Sequence, residues 1–168
     1  MKIFITGLLI ALFLIVSVQT SKSFAPQGRD FGLGLMAGEP SGLTAKIWSY
    51  NDRAFALSLG SSYLGNIRIG VDYLWHFNAF NSKVVNMYAG PGVAIGIGES
   101  GGWWYSNKGK TWYKENDELG FGVRGLVGIN IVPRTAPLEF FVEVGLMLGI
   151  PSPIRTNFEG ALGFRYYF

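Results

Sequence analysis

The only histidine of the chain, His76, lies four residues after Asp72, and Ser58 stands on the segment before them. Side chains four residues apart in an extended segment share one face, so a histidine, a carboxylate and a serine could line a common interior. Such a set could activate a serine nucleophile, with the histidine as its base. A lone histidine has no partners at ligand spacing and the chain has no cysteine, so the sequence predicts neither a metal site nor a disulfide.

Eight charged residues stand at alternating positions that they share with glycine, alanine and serine. They are Lys46, Arg68, Arg124 and Arg165, and Asp72, Glu139, Glu143 and Glu159. An isolated charge in a narrow interior is costly, so these residues are expected to form a paired charge network. Lys46, Asp72, Arg124 and Glu143 fall near the middle of their segments and are expected to pair with one another. The alternative is a gated ion path or a small-ligand site, helped by inward glycines such as Gly90 and Gly120.

The elements that must position these groups have a period of two. Large apolar residues alternate with small or charged ones, as in β-strands, and turn-forming residues separate the segments. Eight segments fit, at residues 31–38, 43–49, 53–61, 67–77, 84–98, 118–132, 138–149 and 157–168. The chain therefore predicts an all-β fold, an eight-stranded antiparallel up-and-down barrel, with one long connection at residues 99–117.

Soluble and transmembrane barrels differ in which face of each strand points into the barrel. A soluble barrel would turn the large apolar side chains into an interior that eight strands leave only just wide enough to fill. The inverse arrangement, with apolar side chains facing lipid and small or charged ones facing the lumen, is typical of a transmembrane barrel. Closure of the sheet then satisfies every backbone group in the hydrocarbon. Eight strands leave no open aqueous channel, which argues against a general porin.

The first 23 residues have the layout of a secretory signal peptide. Lys2 gives a positive start, an apolar run extends to Val18, and small and polar residues follow. Cleavage is expected near Ser23, which makes residues 24–168 the barrel domain. A retained membrane anchor is the alternative, although the apolar run is short for a spanning helix. Without residues 1–23 the chain has 12 basic and 11 acidic residues, so its charge offers no argument for nucleic-acid binding.

The last segment carries the most specific pattern, because its large apolar residues share one face up to the final position. They are Phe158, Leu162, Phe164, Tyr166 and Phe168. In this the chain resembles outer-membrane barrel proteins, whose last strand typically ends in an aromatic residue read by the outer-membrane assembly machinery. Its size and strand number are similar to those of the small OmpA/OmpX-like barrels. The stretches GEPSGLTAKIW (38–48) and DYLWHF (72–77) also resemble small bacterial outer-membrane barrels of unassigned function. The resemblance implies an assembly signal at Phe164, Tyr166 and Phe168 and a location in the cell outer membrane.

An even strand number places both chain ends on one side, which for a secreted barrel is the periplasm. Residues 99–117 then lie outside the cell, and Tyr63, Trp75, Phe77, Tyr166 and Phe168 fall near strand ends, where aromatic girdles occur. Some barrels of this size are lipid A deacylases or palmitoyltransferases that act at the outer leaflet. Here His76 falls at the periplasmic end and no histidine–serine motif of the deacylase type is present, so we expect no catalytic residue and no cofactor.

The long connection has a composition unlike the rest of the chain. Aromatic residues are interleaved with lysines at Trp103, Trp104, Tyr105, Lys108, Lys110, Trp112, Tyr113 and Lys114. These groups can stack on sugar rings and pair with phosphates, which favours lipopolysaccharide or a glycan as a partner. The alternative is that they anchor the loop in the outer-leaflet interface and bind nothing specific.

The sequence therefore predicts a small, non-catalytic outer-membrane barrel that is structural or interacts through this external loop. Its expected partners are outer-membrane lipids, lipopolysaccharide and the assembly machinery, and we expect a monomer. The alternative is a lipid-modifying enzyme or a small-solute conduit of the same architecture.

Overall fold

A computed structural model describes residues 24–97, 119–150 and 155–168, and it contains eight antiparallel strands in one closed barrel. Each strand pairs with the next along the chain, and the last pairs with the first. The strands are β1 Phe31–Gly38, β2 Ser41–Tyr50, β3 Arg53–Ser62, β4 Gly65–Phe77, β5 Val85–Ile97, β6 Leu119–Ile131, β7 Leu138–Ile150 and β8 Arg155–Tyr167. The predicted all-β up-and-down barrel of eight strands is confirmed.

Alternation along the strands sorts the side chains into two populations. On β4, Ile67, Ile69 and Val71 point outward and are 53%, 47% and 37% exposed, whereas Arg68 and Asp72, at the alternate positions, are buried. The other strands repeat the pattern, because successive side chains of a strand leave the sheet on opposite faces. The barrel therefore has an apolar exterior and an interior that holds its charged side chains.

The two ends of the barrel differ in their connections. One end carries both ends of the described chain and the connections 51–52, 78–84 and 132–137, and we call it the terminal end. The opposite end carries the connections 39–40 and 63–64, and we call it the loop end. Strands β2, β4 and β8 begin two residues earlier than the sequence pattern predicts. Pairing of Gly42 with Gly60 and of Ser62 with Gly65 extends the ladder to positions without large apolar side chains.

The segment before β1 covers the terminal end of the barrel. It contains a short 3-10 turn, Pro26–Gly28, and Pro26 is buried. The Phe24 N–H donates to the Asn51 carbonyl at 3.0 Å, and the Arg29 guanidinium donates to the Tyr167 carbonyl at 2.8 Å. Phe24 and Ala25 pack against Trp48 and Tyr167, so the segment closes over the interior at this end. Within the described ranges, no helix is long and apolar enough to cross a membrane.

Candidate functional site

All eight charged residues singled out in the sequence lie inside the barrel, none more than 7% exposed. They divide into two groups according to their partners. We call Arg68, Asp72, Arg124, Glu143 and Glu159 the loop-end network. We call Lys46, Glu139 and Arg165 the terminal-end network. Every cation in both networks lies within 3.3 Å of a carboxylate oxygen.

The loop-end network centres on the guanidinium of Arg124. Its Nε donates to Asp72 Oδ1 at 2.6 Å and its Nη2 donates to the second oxygen of the same carboxylate. Its Nη1 donates to Glu159 Oε2 at 3.0 Å, and Glu143 Oε1 lies 3.9 Å from Nη2. Arg68 donates two hydrogen bonds to the Glu159 carboxylate, of 2.7 and 3.0 Å. This is the bidentate geometry that makes arginine–carboxylate pairs strong.

Two glycines make room for this network. A Cβ at Gly92, which pairs with Asp72, would lie 1.9 Å from Asp72 Oδ1. A Cβ at Gly128 would lie 2.3 Å from the ring of Tyr88, whose hydroxyl donates to Glu143 Oε2 at 2.9 Å. Any larger residue at either position would displace a buried polar side chain, so inward glycines are part of how the interior holds its charges.

The terminal-end network converges on the carboxylate of Glu139, which is fully buried. Lys46 Nζ and Asn130 Nδ2 donate to its Oε1, each at 2.7 Å. Tyr167 Oη and Arg165 Nη1 donate to its Oε2 at 2.6 and 3.3 Å. Four donors on one carboxylate stabilise its charge in a site that water does not reach.

His76 belongs to this end of the barrel and is a hydrogen-bonded interior group. Lys46 Nζ lies 2.8 Å from His76 Nε2, and because the ammonium only donates, Nε2 accepts and Nδ1 carries the proton. The ring lies against Trp48 and Tyr88, with centroids 4.4 and 5.3 Å apart. Within the described ranges Nδ1 has no partner.

The structure does not assemble the histidine, acid and serine into a nucleophilic site. Asp72 is held by Arg124, and His76 contacts Lys46. Ser58 is buried, and its hydroxyl has no hydrogen-bond partner among the described residues. The described part of the chain also contains no group of three or more side chains suited to a metal ion.

Two expectations about particular residues are wrong. Lys46 does not pair within the mid-strand set but with Glu139, because the register of the closed sheet brings the two to one level. Tyr63 is not a girdle residue. It is 6% exposed and donates to Glu159 Oε1 at 2.6 Å, since the tight β3–β4 connection folds it over the barrel mouth.

The sequence reasoning also missed neutral partners of the charges. Thr44 accepts two bonds from Arg165, and Tyr88, Asn130 and Tyr167 each hold a carboxylate. All four occupy inward positions of the alternating pattern. A search of that face for polar as well as charged residues would have found them.

Glu39 lies at the loop end, between β1 and β2, and is also buried. Its Oε2 accepts the backbone N–H of Tyr63 at 3.1 Å, and its Oε1 has no partner in the described ranges. Burial raises the pKa of Glu39 above its usual value, although the Tyr63 N–H and the nearby Arg68 act in the opposite direction. Within the described ranges one hydrogen bond thus holds the Glu39 carboxylate, against four at the carboxylate of Glu139.

The remaining predicted site residues fall in two places. The aromatic and basic positions between 99 and 117, like residues 1–23, lie outside the described residues. The three residues of the expected assembly signal lie on the outer face of the barrel, where Phe164, Tyr166 and Phe168 are 42%, 43% and 65% exposed.

Comparison with protein-family models, with curated proteins and with solved structures gives no match for this chain. The class of protein is therefore defined by the barrel itself, which is a closed eight-stranded fold consistent with an OmpX-like barrel.

Proposed function

We propose that this protein is a small, non-catalytic barrel of the bacterial outer membrane that is structural or interacts with partners at the cell surface. In this proposal residues 1–23 direct secretion and are removed, and the terminal end faces the periplasm. Phe164 and Tyr166 on β8, with Phe168 directly after it, are the signal read by the assembly machinery, and the folded barrel is a monomer.

The observation that carries this proposal is the apolar exterior of the closed sheet. Every strand turns large apolar side chains outward, and those of β7 and β8 include Val142, Val144 and Phe158 at 59%, 61% and 83% exposed. A soluble monomer seldom exposes more than a few contiguous apolar groups, because such surfaces associate in water. Hydrocarbon is the solvent in which an apolar band around a closed sheet is stable.

The contents of the barrel favour a structural role over a conduit or an enzyme. The two charge networks, together with Tyr88, Leu74 and Phe141, occupy the interior, and Phe24 packs over it at the terminal end. Paired and hydrogen-bonded charges are held in place by their partners, so an ion would have to break them to pass. His76 offers a lipid substrate no activated nucleophile, since Lys46 occupies its Nε2.

A charge placed on the outer face tests this proposal. Val144 lies at the middle of β7, and Val144→Arg is expected to lower the free energy of unfolding in phospholipid vesicles by about 2–4 kcal/mol, as found at the bilayer midplane. Phe80→Arg is the control, because Phe80 is 50% exposed but lies in the 78–84 connection at the terminal end. The readout is denaturant unfolding, with the migration of the unheated barrel on a gel as the marker of folding.

A protein that works in water would respond differently. The two arginine variants would then be equally stable, since both side chains would be solvated. Recovery of the parent protein in a soluble periplasmic fraction, rather than in the outer-membrane fraction, would also overturn the proposal.

The surface interaction is proposed to run through the connection between β5 and β6. Its five aromatic residues and three lysines between 103 and 114 suit a partner with sugar rings and phosphates, as in lipopolysaccharide. Replacing residues 101–114 by a short Gly/Ser turn should leave the barrel folded, because the pairs that join β5 to β6 in the described ranges, up to Ile97 and Leu119, lie outside the replaced segment. Binding of purified lipopolysaccharide should fall at least tenfold. Unchanged binding by the shortened protein would assign these aromatics to anchoring alone.

A further inference from the structure

A polar recess at the terminal end is separate from both charge networks. It has a volume of about 610 Å³ and lies between the segment before β1 and the connections 78–84 and 132–137. That volume is within the range of sites that hold small molecules. Lys83 and Arg134 line it, together with the amides Gln27, Asn78 and Asn86, and Phe24 forms an apolar part of the wall.

The two cations of this recess, Lys83 and Arg134, are exposed and have no counter-charge among the described residues. No acidic side chain lines the recess, and neither Lys83 nor Arg134 forms an ion pair within the part of the chain that the structure describes. The cations of the interior behave differently, since each of them is held by a carboxylate. Two cations that share one recess repel each other, and a bound anion would relieve that repulsion.

Two neutral side chains of the recess, Asn78 and Ser82, retain hydrogen-bond donors that a ligand could use. Asn78 Oδ1 accepts the Ser82 N–H at 2.9 Å, so the amide nitrogen of Asn78 is its remaining group. Ser82 Oγ, also in the lining, accepts the N–H groups of Val84 and Val85 at 3.1 and 3.0 Å, which leaves its hydroxyl hydrogen to donate. The ligand that fits has several acceptor oxygens and a negative charge.

We propose that this recess binds a phosphate group, with Lys83 and Arg134 as the charged donors and Asn78 and Ser82 as neutral ones. A guanidinium matches two phosphate oxygens at once, and an ammonium adds a point charge without a fixed direction. The phosphate could belong to a phospholipid headgroup or be free. A headgroup would also use the apolar wall at Phe24, and that source rests on the proposed location in a membrane.

The test is calorimetric titration of the folded full-length barrel in a nonionic detergent, with inorganic phosphate and with short-chain dihexanoylphosphatidylglycerol as probes. We expect saturable binding by the parent protein. Lys83→Gln/Arg134→Gln should weaken it by about tenfold or more, the effect of losing a hydrogen bond to a charged group. Arg53→Gln is the control for removal of positive charge, because Arg53 is an arginine with an exposed side chain at the same end of the barrel that does not line the recess, and this variant should bind like the parent.

The outcomes separate the source of the phosphate and the validity of the site. Tight binding of the lipid with weak binding of inorganic phosphate identifies a headgroup, whereas equal binding of the two identifies a free phosphate. The proposal is overturned if the parent binds neither probe, or if the control loses as much affinity as the recess variant. Failure of the barrel to enter vesicles would count against the proposed function and would leave the inorganic phosphate titration unaffected.

Discussion

Arg124→Met is expected to lower the free energy of unfolding of the barrel by about 3–5 kcal/mol, the usual effect of removing one partner of a buried ion pair. Arg124 is 6% exposed, and its guanidinium holds Asp72 through two bonds and Glu159 through a third. Glu159 retains Arg68 and Tyr63 in the variant, whereas Asp72 loses the guanidinium that neutralises it. Denaturant unfolding of the refolded barrel, followed by tryptophan fluorescence, gives the measurement.

The matched control is Arg53→Met, which removes an arginine of a different kind. Arg53 lies 3.7 Å from Asp52, and both side chains are more than 40% exposed, so the expected loss is within about 1 kcal/mol. Adding Asp72→Asn to Arg124→Met should recover part of the stability, because it removes the bare carboxylate. Equal stability of Arg124→Met and Arg53→Met would mean that water reaches the interior and solvates its charges.

Glu139→Gln should be as damaging, about 3–5 kcal/mol, although the two side chains have nearly the same shape. Each carboxylate oxygen of Glu139 accepts two donors, from Lys46 and Asn130 on one oxygen and from Arg165 and Tyr167 on the other. Glutamine would turn an amide N–H₂ toward one of these donor pairs and leave two cations without a buried counter-charge. The same unfolding measurement applies.

Glu39→Gln is the control for Glu139→Gln, because Glu39 is another buried glutamate exchanged for the same amide. Among the described residues the Glu39 carboxylate has one hydrogen-bond donor, the Tyr63 N–H, and a glutamine oxygen would accept that bond equally well. Burial already raises the pKa of Glu39 and favours its neutral form, so this substitution should change the free energy of unfolding by less than about 1 kcal/mol. If both substitutions had the same small effect, the four-donor arrangement around Glu139 would not be a source of stability.

Much of the barrel follows from the sequence because local patterns determine strands. The period of two along 67–77 and 138–149 separates an apolar face from a charged one, and the turn residues between segments set the number of strands. The same alternation places Lys46, Arg68 and Glu159 on the inner face. The pattern does not determine the strand ends, since positions such as Ser41 and Gly65 pair in the ladder but carry no large apolar side chain.

The pairing of the charges is a different kind of information, and only the closed tertiary structure decides it. Alternation specifies the face of the sheet on which a residue lies, but the level of that residue along the barrel depends on the register accumulated around eight strands. Lys46 therefore meets Glu139, 93 residues away, and Tyr63 turns inward to Glu159. The recess at Lys83 and Arg134 likewise exists because closure of the barrel brings three separate segments together at one end, and no local pattern records that proximity.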